Sequence, residues 1–118
     1  MRVFVAGSVE AAGIVRSLGH DVLEADPSPI PKQGFQVTMD RLLEADLLVA
    51  DVSAPDTGVG WVLAWFLARG RLAVVCCRRD ARADVPAIVA GNPSPWMRAV
   101  LYGDEAELRR ELGAALAR

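Results

Sequence analysis

With 118 residues, of which 53% are hydrophobic and 24% charged, the chain is sized and composed for one domain, 1–118, around a well-filled core. A formal net charge of −2 without a basic stripe argues against a nucleic-acid partner. A lone histidine, His20, and two adjacent cysteines that a strand would point to opposite faces argue against a metal site.

RVFVA (2–6), ended by Gly7-Ser8, reads as a buried strand, and VEAAGIVRSLG as a short helix closing at Gly19. HDVLEA gives a second short strand. DPSPIPKQG carries three prolines and is expected to be loop. In FQVTMDRLLEA the residues Phe35, Met39, Leu42 and Leu43 fall at helical spacing. DLLVADVS (46–53) is apolar nearly throughout, as in a strand covered on both faces. A glycine-rich turn, DTGVG, then leads into a helix over 59–69 that carries nothing ionisable before Arg69. RLAVVCC is a further buried strand, with Cys76 and Cys77 expected as buried, reduced thiols. DVPAIVAG reads as a short helix and MRAVLY as a fifth strand. DEAELRRELGAALAR reads as an amphipathic helix with acids at its start and arginine at its end, matching the helix dipole.

Five alternations of strand and helix predict a flavodoxin- or Rossmann-like three-layer α/β sandwich with a five-stranded parallel sheet. Ligands of such sheets bind beyond the carboxyl ends of the strands, where the strand order reverses. The loops expected there start at Gly7-Ser8 and at Asp51-Val52-Ser53, and the glycine turn lies in the second. MRVFVAGS has neither the basic nor the long apolar region of a signal peptide, and no apolar run reaches membrane-spanning length. A cytoplasmic protein with no membrane partner, metal or cofactor is therefore expected.

Three segments, RVFVAGS, EADLLVADVSAPDTGVGW, and GN followed by a strand ending in Tyr102 and an acidic helix, resemble the nucleoside 2-deoxyribosyltransferase superfamily. The resemblance includes the branch of 2′-deoxynucleoside 5′-phosphate N-hydrolases and covers most of residues 2–112. It implies a compact α/β fold, an oligomer, and cleavage of the bond between nucleobase and deoxyribose through a carboxylate nucleophile. A glutamate two positions after the second glycine of the turn attacks the anomeric carbon, and an aspartate on the preceding helix handles the proton of the departing base.

Matched residue by residue, Val62 stands where the glutamate belongs and Thr38 where the aspartate belongs. Valine has no lone pair, and a threonine hydroxyl is a poor acid or base. Asp40 is two residues from Thr38, a rotation of about 200°, and should point away from the pocket. Glu10 and Asp56 occupy the positions where the resemblance implies a phosphate-binding arginine and serine, and two acids repel a phosphate dianion. Asp56 is better suited to a sugar hydroxyl, or it is a plain turn residue. Glu10 fits a solvated first helical turn. Only ten residues separate Ser8 from Gly19, fewer than the resemblance implies, so a smaller or more open pocket is expected.

The candidate substrate-binding set is Gly7, Ser8, Thr38, Asp56, Gly58, Gly60, Trp61 and Val62. Trp61 and Trp65 share a helix face, so Trp61 is either a stacking platform for a base or part of a dimer interface through helix 59–69, the favoured expectation. Asn92 is expected as a turn residue, and Asp51 as a cap that orients the glycine turn. Three functions follow. The first is a catalytically degenerate, homodimeric relative that binds a nucleoside or related small molecule without cleaving it. The second is an active N-glycosidase or transferase with a relocated carboxylate, chiefly Asp40, Asp51, Asp56 or Glu10. The third is an oligomeric scaffold without a small ligand.

Overall fold

The computed structural model describes residues 1–117. Five strands form one all-parallel sheet, β1 (Arg2–Ala6), β2 (Asp21–Leu23), β3 (Leu47–Asp51), β4 (Ala73–Arg78) and β5 (Met97–Tyr102), in the order β2-β1-β3-β4-β5. The helices are α1 (Val9–Ser17), α2 (Pro31–Glu44), α3 (Thr57–Ala68), the single turn α4 (Ala87–Ala90) and α5 (Glu105–Leu116). The sheet is the five-stranded parallel α/β sandwich that the alternation predicts.

Side chains of a strand alternate between faces, so the sheet divides the apolar residues into two cores. Val3, Val5, Val49, Val74 and Cys76 pack under α1 and α5, against Ile14, Val15, Leu108 and Leu112. Phe4, Leu48, Ala50, Ala73 and Val75 pack under α2 and α3, against Leu42, Leu63, Trp65 and Phe66. Cys76 and Cys77 are buried free thiols.

Several boundaries differ from expectation. α2 begins at Pro31, inside the stretch expected as loop, because proline at the first helical turn has a suitable φ and no amide left to satisfy. β2 and β3 are shorter than the apolar runs around them. α3 starts at Thr57, so Gly58 and Gly60 belong to its first turn rather than to a turn before it. The cause is Asp56, whose Oδ1 accepts the Val59 amide at 3.0 Å and draws the glycines into the helix. An unanticipated 3₁₀ segment, Arg79–Asp84, precedes α4. α5 ends at Leu116, and the arginine expected at its end, Arg118, lies outside the described residues. Gly19 has φ +91° just after α1, as a helix-terminating glycine requires.

Candidate functional site

The strand order reverses at β1, whose carboxyl end lies between those of β2 and β3. Gly7 makes the junction possible. It has φ +88°, and a Cβ there would lie 2.4 Å from the Asp51 carbonyl oxygen. Ser8 follows as the N-cap of α1, its Oγ accepting the Ala11 amide at 3.0 Å.

On the α2–α3 side of this junction lies a cavity of about 920 Å³, near the upper end of the range for small-ligand pockets, ~300–1,000 Å³. Gly7 and Ser8 form its floor with Phe4, Val5 and Ala6 of β1. The first turns of α3 supply Asp56, Gly58, Val59, Trp61 and Val62, and α2 supplies Phe35, Thr38 and Met39. The cavity is open at its rim rather than small, and α1 packs mainly on the opposite face of the sheet. There Phe35 (58% exposed) and Trp61 (48% exposed) meet edge to face, with ring centroids 6.3 Å apart. These rings offer a planar ligand an aromatic surface.

Val62 is only 7% exposed and lines the cavity from α3. Thr38 Oγ1 accepts the amide of Asp26 at 3.0 Å, so this hydroxyl holds the loop after β2 against α2. That loop brings Glu24, Asp26 and Ser28 to the wall. Glu24 pairs with Arg16 at 3.0 Å, and Asp26 lies 4.0 Å from Arg41. Among the described residues, the charged ones lining the cavity are Glu24, Asp26 and Asp56, all acids. The wall is therefore rich in acceptors and carries no cation of its own among the described residues, with Arg16 and Arg41 behind two of its acids.

A second cavity of about 230 Å³ opens on the other side of Gly7 and Ser8, between Glu10, Asp51, Ser53, Arg78 and Tyr102. Asp51 is buried there and both its oxygens are used. Oδ1 accepts the Ser53 amide at 2.8 Å, and Oδ2 accepts the Tyr102 hydroxyl at 2.5 Å. Asp51 thus orients the loop directly after β3 rather than the first turn of α3. Burial, followed by the bond to Asp51, raises the Tyr102 hydroxyl above the usual tyrosine range. Burial and the charge of Asp51 push the Cys76 thiol up to about 12, and burial raises Cys77 as well.

Of the eight candidate binding residues, Gly7, Ser8, Thr38, Asp56, Gly58, Trp61 and Val62 surround the larger cavity. Gly60 stands apart, on the exposed side of α3, because its position in the first turn faces outward. Asp40 is also outside, exposed and bonded to Gln36 at 3.1 Å, as the helical rotation requires. Glu10 borders the smaller cavity. Asn92 closes a turn through its Oδ1 and the Ser94 amide at 2.9 Å. Trp61 and Trp65 do not act together. Trp65, 8% exposed, packs into the chain's own core beside Phe66, with the Arg69 guanidinium 4.0 Å above its ring. Sequence reasoning missed Glu24, Asp26 and Phe35 as wall residues. The one available signal was a pair of acids just after a strand at the reversal point.

No family model matches the chain. It is 33% identical over 103 residues, 87% of this chain and 72% of the other, to a Thermofilum pendens protein bearing the name 2′-deoxynucleoside 5′-phosphate N-hydrolase 1. A Methanosarcina barkeri protein of the same name is 39% identical over 72 residues, but the chain spans only 44% of its length. Among solved structures, a CMP N-glycosidase from Clostridium botulinum superposes with TM-score 0.79 at 21% identity, over 98% of this chain and 100% of that one. A 2-deoxyribosyltransferase from Bacillus psychrosaccharolyticus gives 0.69 at 14% identity, over 92% and 90%. At these identities the two structures speak for a common fold.

Proposed function

Because the chain belongs to the nucleoside 2-deoxyribosyltransferase superfamily, we propose that its larger cavity binds a nucleoside or related small molecule without cleaving it. The observation that carries this reading is Val62. A buried, lone-pair-free side chain occupies the cavity wall where the superfamily resemblance requires a nucleophile. Thr38, at the second catalytic position, has its hydroxyl engaged with the Asp26 amide. Asp51 is spent on Ser53 and Tyr102, and one oxygen of Asp56 on the cap of α3. What remains suits binding: an aromatic rim for a base, and hydroxyls and carboxylates for a sugar.

A second reading, an active N-glycosidase with a relocated carboxylate, is favoured by the acids that do reach the wall, Asp26 and Asp56. Incubating the purified protein with deoxynucleosides and separating the products by chromatography discriminates between the two. The binding reading predicts intact nucleoside after prolonged incubation. Release of free base, abolished by Asp26→Asn or Asp56→Asn, would establish the enzyme instead. We also propose a homodimer through α3, whose outward side presents Gly60, Ala64 and Ala68 beside exposed Trp61. Small residues in a row permit close approach of a second helix, and Trp61 would place that contact at the cavity rim.

A further inference from the structure

We propose that Asp26 is a ligand-contacting carboxylate that makes this cavity select nucleosides lacking a 5′-phosphate. The inference rests on the binding function proposed above and adds to it the residue and the ligand class. Asp26 follows β2, and its backbone is held at its own amide and two residues upstream. Its own amide donates to Thr38 Oγ1 at 3.0 Å, and Arg41 Nη1 donates to the preceding Glu24 carbonyl at 2.9 Å. The side chain is 20% exposed, and the residue lines the cavity. Of the three acids on the wall, Glu24 is occupied by Arg16, and Asp56 has one oxygen on the Val59 amide. Asp26 differs. Among the described residues its carboxylate accepts no hydrogen bond, and its nearest cation, Arg41, is 4.0 Å away. Oδ2 therefore has no partner among the described residues, and Oδ1 has only the long contact to Arg41, which leaves the carboxylate able to accept donors from a ligand.

The donors that a nucleoside offers are sugar hydroxyls and the amino group of a base, and a carboxylate binds either through a charge-assisted hydrogen bond. A phosphate dianion brings only acceptors and two negative charges to a wall whose charged residues are three acids, of which Glu24 and Asp26 are partly offset by Arg16 and Arg41 behind them and Asp56 is not. Thr38 is accordingly a positioning residue. Its hydroxyl aims no chemistry at the ligand, and it keeps the loop of Asp26 pressed to α2.

The test is titration calorimetry of the four common 2′-deoxynucleosides and their 5′-monophosphates against the wild type and Asp26→Asn. Asparagine keeps the side-chain volume and the amide that Thr38 holds. Asp26→Ser, a smaller uncharged replacement, guards against a folding defect, and the melting transition of each variant is recorded. The wild type should bind its preferred nucleoside about tenfold or more tighter than the matching monophosphate. Both variants should weaken nucleoside binding about tenfold or more and bring the two ligands to within a few-fold of each other. A loosened loop would weaken both ligands alike, so the changed ratio identifies a ligand contact. Unchanged nucleoside affinity in a folded variant, or a wild type that prefers the monophosphate, would overturn the role of Asp26 and leave the binding function standing. No binding of any ligand by the wild type would overturn both.

Discussion

At the scale of single residues, the two sides of Gly7 have opposite chemical characters. On one side, Asp51 and Tyr102 satisfy each other in a buried pair 2.5 Å apart, and Ser53 fills the remaining oxygen. On the other, Asp26 and one oxygen of Asp56 are left open toward a cavity. Buried polar groups that are fully satisfied hold structure, whereas open ones at a cavity wall await a partner. Tyr102→Phe removes the donor and leaves a buried carboxylate oxygen unpaired, so chemical denaturation should show a loss of about 1–3 kcal/mol of stability. An unchanged midpoint would mean that water takes the place of the hydroxyl. Val62 and Thr38 were identifiable by matching residues, because a missing carboxylate is visible in sequence. Asp26 was not, because its approach depends on a loop folding back onto Thr38 twelve residues later.

The elements show where local rules compete. Proline is by rule a helix breaker, yet Pro31 starts α2, and glycine is by rule a turn former, yet at Gly58 and Gly60 the Asp56 cap wins. The strands were legible because parallel, doubly covered strands are apolar throughout; β3 is buried along its whole length. The apolar character of α3 had an internal cause that periodicity could not reveal, since Trp65 and Phe66 fill the chain's own core. α5 is tied to the 3₁₀ segment by Arg79, which pairs with both oxygens of Glu107, while Glu107 also accepts the Gly103 amide at 2.9 Å. The Arg79 hydrogen bonds, then that amide, lower the Glu107 carboxyl from the usual 4.5 to about 2. A carboxyl depressed in the folded state stabilises above its unfolded pKa and loses that contribution as pH falls through its folded value. The wild type should therefore melt higher than Glu107→Gln at pH 6, and the gap should close between about pH 4.5 and pH 2. A gap that persists unchanged at pH 2 would contradict the ion pair. The pair is surface-exposed, so added salt should narrow the gap as well.

At the scale of the whole molecule, the fold sets the larger cavity at the point where strand order reverses, as parallel sheets of this kind do. The alternation of elements made that location readable from the sequence. The size of the cavity was not readable, because it depends on how far α2 and the loop before it stand from α3. Assembly belongs to the same scale. Sedimentation velocity should report a dimer, and Ala64→Arg, placing a charge on the outward side of α3, should yield a folded monomer. A wild type that sediments as a monomer would dismiss the interface. The most direct test of binding without cleavage is a titration of isotope-labelled protein with a 2′-deoxynucleoside, observed by NMR from both sides. Shifts confined to the Trp61 indole, the Val62 methyls and the Gly7 amide are predicted, with the anomeric proton of the sugar undiminished over days. Growth of free-base signals would show that a working carboxylate remains in the cavity. The absence of any protein shift would show that nucleosides are not its ligand.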